Sequence, residues 1–154
     1  MEFSELVKRF AAAAASGNGD ALADLFTAGG TYDDYFFGPQ TGREAIKTML
    51  AHFSDGGGNF RWEFFDAVQS GSIGYASYRF SFDSKRPEAK GARVMFEGVA
   101  MMKLRDGKIL EYHEVANTAP AFVDMNFAPE RIAKIFARQG AALKARPEMR
   151  RHLA

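Results

Sequence analysis

At 154 residues, with 47% apolar and 25% charged side chains, the chain has the size and balance of one globular domain, which excludes a wholly disordered polypeptide. Twenty Lys and Arg against 19 Asp and Glu leave a net charge of +1, without the basic excess that phosphate-backbone binding needs, so no nucleic-acid partner is expected. No run approaches the roughly 20 apolar residues of a membrane span, Met1-Glu2-Phe3-Ser4-Glu5 carries acid where a signal peptide carries base, and zero cysteines exclude disulfides and a thiol nucleophile; no membrane partner and a cytoplasmic address are expected. The three histidines (His52, His113 and His152) are too few for a His-rich metal site, and no metal is expected. Fifteen Phe, five Tyr and one Trp make 14% of the chain aromatic. That fits either a well-filled core or an apolar ligand pocket.

Phe3, Leu6, Val7 and Phe10 recur at helical spacing and predict an amphipathic helix, broken by Ser16-Gly17-Asn18-Gly19. A second short helix starts near Asp20 and buries Leu22, Leu25 and Phe26. Gly29-Gly30 leads into a strand over 31–37, and Gly38-Pro39-Gln40 reads as a turn. Thr41-Gly42-Arg43-Glu44 has the capping-box pattern, and Ile46, Met49, Leu50 and Phe53 continue it as a third helix. After a glycine-rich loop over 54–59, residues 60–117 read as four strands. They span 60–68, 72–82, 93–104 and 108–117, with Arg105-Asp106-Gly107 closing the last hairpin. A further helix begins at Pro129, with Ile132, Ile135 and Phe136 as its apolar stripe. Helices first and strands afterwards is the α+β pattern, with the helices covering one face of a twisted sheet.

Gly17-Asn18-Gly19-Asp20, Leu25-Phe26, Tyr32-Asp33-Asp34 with Phe37-Gly38-Pro39, Thr41-Gly42-Arg43-Glu44-Ala45-Ile46 and the run 106–115 (DGKILEYHEV) follow one another in an order that resembles the nuclear-transport-factor-2-like superfamily. The SnoaL-like polyketide cyclases and ketosteroid-isomerase-like proteins are the branches it is most similar to. The resemblance covers roughly residues 3–117. It implies a cone: a curved, antiparallel or mixed sheet wrapped around three N-terminal helices, with one domain over 1–126 and a C-terminal helical extension over 127–154. It also implies a deep apolar pocket holding a few acidic and aromatic side chains, no cofactor, and a homodimer formed through the outer sheet face. Members of the superfamily isomerise steroids, close polyketide rings, dehydrate scytalone or open epoxides, and others only bind or assemble, so the fold does not choose.

Strand alternation sets which side chains line the cone. Along 93–104, Val94, Phe96, Gly98, Ala100, Met102 and Leu104 form one apolar parity and are taken as inward, with Arg93 and Glu97 outward. A two-residue turn at Asp106-Gly107 would put Glu111 and His113 inward. A three-residue turn at Arg105-Asp106-Gly107 would put Leu110, Tyr112 and Glu114 inward. The resemblance decides for the second: in SnoaL-like cyclases this strand commonly reads Trp-Asp-Val with the Asp as general base, and the match here is His113-Glu114-Val115, so Glu114 takes the base position. A carboxyl desolvated among Phe, Tyr and Met has a raised pKa, suited to proton abstraction beside a carbonyl. The sequence departs from those cyclases at Ala100 and Met102, where they tend to carry Asp and His, which puts their particular ring closure in doubt.

Asp34 or its neighbour Asp33 is the second candidate acid, paired with Glu114 in a two-carboxylate division of labour. Tyr35, Tyr78 and Tyr112 can donate to a developing enolate oxygen. Tyr35, Trp62, Phe64, Tyr78, Phe80, Phe96 and Met102 are the candidate walls for a small hydrophobic molecule. No phosphate loop, Gly-x-Ser-x-Gly elbow or His-Glu-x-x-His is present. The expectation is a cofactor-independent proton-transfer enzyme (isomerase, cyclase or dehydratase type). The alternatives are a non-catalytic binder with the same pocket and an assembly module whose helices fill the cone.

Overall fold

A computed structural model describes all 154 residues. The first helix, α1 (Phe3–Ala15), buries Phe3, Leu6, Val7 and Phe10 together with three alanines on one side. The short α2 (Gly19–Asp24) is capped by Asn18, whose side-chain oxygen accepts the Ala21 N–H at 3.0 Å, two residues earlier than Asp20 would cap it. Strand β1 (Phe26–Asp34) begins five residues before the predicted start because Phe26 already pairs with Ile109. It also ends earlier. The Asp34 carboxylate accepts the N–H groups of Phe36 and Phe37 at 2.8 and 2.9 Å, an Asx-type turn that reverses the chain at 35–37. Gly38–Thr41, predicted in part as a turn, therefore returns as strand β2 beside β1.

This placement also overrides the capping box. Thr41 is the last residue of β2, and its hydroxyl lies 2.9 Å from that of Thr31. Gly42 takes the N-cap position of α3 (Arg43–Gly56) without a side-chain cap. Then follow β3 (Gly57–Ser70), β4 (Ile73–Ser84), a 3-10 turn at Pro87–Ala89, β5 (Arg93–Arg105) and β6 (Lys108–Asn117). The six strands form one curved, unclosed sheet in the order β2-β1-β6-β5-β4-β3, antiparallel except for the β1–β6 pair. This is the α+β cone, with α1, α2 and α3 against its inner face. No helix is long and apolar enough to cross a membrane.

Two of the irregularities in the sheet matter for the predicted side-chain parity. In β3, Asp66 (φ +51°) lies in an irregularity between the Phe65–Ser77 and Val68–Tyr75 pairs, so Val68 points outward and is exposed, although it shares sequence parity with Phe60, Trp62 and Phe64. The second, in β6, is decisive for the site. Asp106 and Gly107 both have positive φ and close a two-residue turn with Arg105 opposite Lys108 and Leu104 opposite Ile109. The predicted three-residue turn is therefore absent. By alternation alone Glu111 and His113 would then face inward, but Leu110 is an extra residue: the next pair is Lys103 with Glu111, then Met102 with Tyr112 and Ala100 with Glu114. The bulge turns Tyr112 and Glu114 inward. Ile109, fully buried and donating its N–H to Leu25 at 2.8 Å, is held on the β1 side of this irregularity.

At the centre of the core Phe10 is fully buried, stacked on Tyr112 (4.9 Å between ring centres) and Tyr32 (5.5 Å) and edge-on to Trp62 and Phe64. Beyond β6, a helix not foreseen from the sequence, α4 (Ala119–Asp124), packs on β5 and buries Ala121 and Phe122 with Val94 and Met125 in a second, small cluster. The last helix, α5 (Pro129–Lys144), leans on that cluster through Ile132 and Ile135 and buries no residue completely.

Candidate active site

The open end of the cone holds a cavity of about 30 Å³, lined by Asp34, Phe36, Phe53, Trp62, Tyr78, Phe80, Phe96 and Glu114. Seven elements of the chain meet there, and the two acids come from the adjacent parallel strands β1 and β6. Asp34 lies two residues beyond Tyr32, which pairs with Tyr112; Glu114 lies two beyond Tyr112. Asp34 is buried and Asp33 exposed, so the choice the sequence left open falls on Asp34.

Glu114 is held from both sides. The Tyr112 hydroxyl donates to Oε2 at 3.0 Å, and the Tyr35 backbone N–H reaches Oε1 at 3.4 Å. Burial among the aromatic walls pushes its carboxyl up to about 7; the charge of Asp34 adds to the rise, and the nearby Tyr78 hydroxyl together with the Tyr112 and Tyr35 hydrogen bonds opposes it. Burial also raises Asp34, against the two backbone N–H groups of the turn. Those bonds fall on Oδ1 alone.

Two donors in the cavity wall lack partners. The Tyr78 hydroxyl and the Trp62 indole N–H are buried and unpaired. Tyr78 is near enough to Glu114 for the two to influence each other's ionisation, yet no acceptor meets hydrogen-bond geometry at its hydroxyl. Burial, followed by the Glu114 charge, holds its phenol far above the ordinary value. Gly98 makes room for this hydroxyl, since a Cβ there would stand 2.8 Å from it and 2.5 Å from the Val115 carbonyl.

Of the expected wall residues, Trp62, Tyr78, Phe80 and Phe96 line the cavity. Phe64 and Met102 do not: Phe64 packs between Phe10, Trp62 and Tyr78, and Met102 is fully buried in the core opposite Tyr112. Tyr35 stands at the rim, its hydroxyl donating to Gln139 at 2.7 Å and accepting from Thr118 at 3.0 Å. Tyr112 touches Glu114 from behind and does not line the cavity. Ala100 and Met102, where the cyclases carry polar residues, are both fully buried.

Two wall residues escaped the sequence reading. In the sequence Phe53 ends an apolar helix face, and Phe36 shares the parity of Asp34, a usable signal. No group of three or more Asp, Glu or His side chains is placed to hold a metal ion. A wider groove of about 460 Å³ lies toward the outer face, bordered by Arg61, Glu63, Arg79 and Glu97, and carries no such buried acid.

A curved α+β cone with a carboxyl pair at its open end defines the class of protein. Residues 7–112 match the SnoaL-like domain, and the chain belongs to that family. Solved structures share the fold. A protein of ketosteroid-isomerase-like fold from Catenulispora acidiphila, in complex with trimethylamine, is 23% identical over 83% of this chain and 100% of its own, with a TM-score of 0.72. A protein assigned as a polyketide cyclase from Xanthomonas campestris is 21% identical over 79% of this chain and 95% of its own, TM-score 0.65. An LEH-like epoxide hydrolase from M. tuberculosis is 16% identical over 79% of this chain and 86% of its own, TM-score 0.63. Among curated proteins none matches the chain.

Proposed function

We propose that the chain is a cofactor-independent acid–base enzyme acting on a small, apolar, carbonyl- or ring-bearing molecule by proton transfer, in an isomerisation, dehydration or cyclisation. The observation that carries this reading is Glu114, a carboxyl in an aromatic cleft with its pKa pushed up to about 7 beside a second raised acid. A carboxylate so placed is more basic than one in water and lies near neutral pH, where a general base is most effective. Glu114 takes the proton alpha to the carbonyl. The unpaired Tyr78 hydroxyl and Trp62 N–H donate to the oxygen on which charge develops. Asp34, through its free Oδ2, handles the second proton, and Tyr112 holds the Glu114 carboxyl in line.

A rival reading has its own support. A cavity of about 30 Å³ has room for roughly two waters, far below the ~300 Å³ at which ligand pockets begin. That favours a cone filled by its own side chains, serving as a binding or assembly module. The enzyme reading needs a movable wall or a very small ligand, and the trimethylamine bound by the Catenulispora neighbour is such a ligand.

Deuterium uptake by cyclic β,γ-unsaturated ketones and 1,3-diketones in D2O, followed by mass spectrometry, separates the two. The expected result is exchange above buffer background that rises with pH through about 7 and falls by about 10²–10⁴ in Glu114→Gln. Equal rates for wild type and variant would remove Glu114 from the role.

The same reading includes a homodimer in the cytoplasm. The outer sheet face exposes Met95, Val99 and Val115 on neighbouring strands, an apolar surface suited to a second copy. The absence of cysteine suits a reducing compartment.

A further inference from the structure

We propose that α5 and the residues after it form a strap that bolts the mouth of the acid-lined cavity, with Gln139 and Tyr35 as the latch. What the opened mouth admits rests on the function proposed above; the strap itself rests on how the tail is built.

The wall nearest the tail is the turn at 35–37. Phe36 lines the cavity yet is 48% exposed, and it is wedged edge-on between Phe96 of β5 and Phe122 of α4. Tyr35, in the same turn, gives its backbone N–H to Glu114 and its hydroxyl to Gln139 of α5. A single residue thus joins the tail, through its hydroxyl, to the acid, through its backbone N–H. While the latch is made, the turn and Phe36 stay down and the cavity has room only for water.

The tail is held lightly enough to move. Ala121, Phe122 and Met125 anchor α4, but α5 has no buried residue. Apart from Gln139 it is held by Ile132 and Ile135, by Phe136 against Phe122 and, near its start, by Arg131. The Arg131 guanidinium covers the Phe127 ring at 3.7 Å and lies 3.7 Å from the Glu88 carboxylate. Segments with so little burial open at low free-energy cost. The pivot is the link between the two helices, where Asn126 is left-handed (φ +56°) and Ala128 is extended before Pro129.

Charge holds the strap down. Residues 127–154 carry seven Lys and Arg against two Glu, a net +5, whereas residues 1–126 carry thirteen against seventeen, a net −4. Attraction of this kind weakens as salt is added.

The chain has no cysteine, so an introduced one reports cleanly. Phe80→Cys places a thiol in the cavity wall, and its alkylation by iodoacetamide reads how often the mouth opens; Phe53→Cys repeats the measurement from the α3 part of the wall should Phe80→Cys fail to fold. Gln139→Ala removes the latch hydrogen bond alone, whereas Tyr35→Phe removes it together with the bond that the buried Thr118 hydroxyl donates to the same oxygen. Gln139→Ala should speed labelling about five-fold, the equivalent of roughly 1 kcal/mol; Tyr35→Phe should speed it at least as much, and the double variant should be no faster than Tyr35→Phe alone. Rising salt should also accelerate it. Ala14→Cys, buried in α1 away from the tail, reports global unfolding and should keep its rate. Equal labelling of the cavity thiol with and without the latch overturns the strap, as does equal acceleration at Ala14→Cys. None of these readouts requires turnover, so failure of the ketone-exchange assay leaves the strap standing, and failure of the strap leaves the acid pair standing.

Discussion

The two ends of the cone are built from the same strands and differ in what those strands present. At the closed end β1, β6 and β5 contribute Tyr32, Tyr112 and Met102, packed around Phe10. Two residues further along, β1 and β6 present Asp34 and Glu114, and β3, β4 and β5 bring Trp62, Tyr78 and Phe96 to an incompletely filled space. The closed end buries rings in contact with one another, with the Tyr32 hydroxyl unpaired among them but no carboxyl. The open end buries two carboxyls, leaves two donors unpaired and keeps Phe36 partly in water. Burying such groups costs free energy, and a fold tolerates that cost where the groups serve a ligand. The well-packed end supplies the stability, and the other end spends part of it.

The sharpest way to break this contrast is at Phe10. Phe10→Ala should lower the unfolding free energy by about 3–5 kcal/mol, read by urea titration. It should leave the titration of Glu114 in place; a shifted carboxyl would show that the two ends are not independent.

Next in size is the pH dependence of stability. Glu114 holds its proton up to about 7 in the folded chain against 4.5 as the reference value. Between these values the folded state binds a proton that the unfolded state has released, so stability falls as pH rises through the window and levels off above it. The loss is on the order of 3 kcal/mol. Subtracting the profile of Glu114→Gln isolates it, and parallel profiles would mean that the carboxyl is not raised. Asp34, shifted in the same direction, adds a contribution of the same sign.

The smallest effect is expected at Tyr78. Because its hydroxyl has no partner in the ligand-free fold, Tyr78→Phe should leave thermal stability unchanged or raise it by about 1 kcal/mol while slowing ketone exchange. A variant that is less stable would show that the hydroxyl is already satisfied.

Much of the fold was legible. Period-3.6 runs gave α1 and α3, and the turn residues around Gly71 and Gly107 gave the two hairpins of the antiparallel sheet. The apolar parity of β5 identified its inner face. Other features were not local. The Thr41–Glu44 capping box lost to the pairing of β2 with β1, and α4 has little periodicity of its own, since Ala121 and Phe122 are buried by Val94 across the chain. Within the site, the sequence proposed Glu114 and Asp34 but assigned Phe64 and Met102 to a cavity that ends short of them.

What the sequence determined by itself is most of the elements, β2 and α4 excepted, their order and a short choice of acids near the strand ends. A strand's alternation, however, fixes only which residues lie on the same side, not which side that is. Leu110 shows the limit: the short turn and the extra residue after it each reverse the parity predicted for Glu114, and the two reversals cancel. That bulge is settled by Ile109 docking beside Phe26 and Leu25, more than eighty positions away in the chain. Cavity volume was likewise decided only in three dimensions, because it is what remains after α1, the sheet and the turn at 35–37 have packed together.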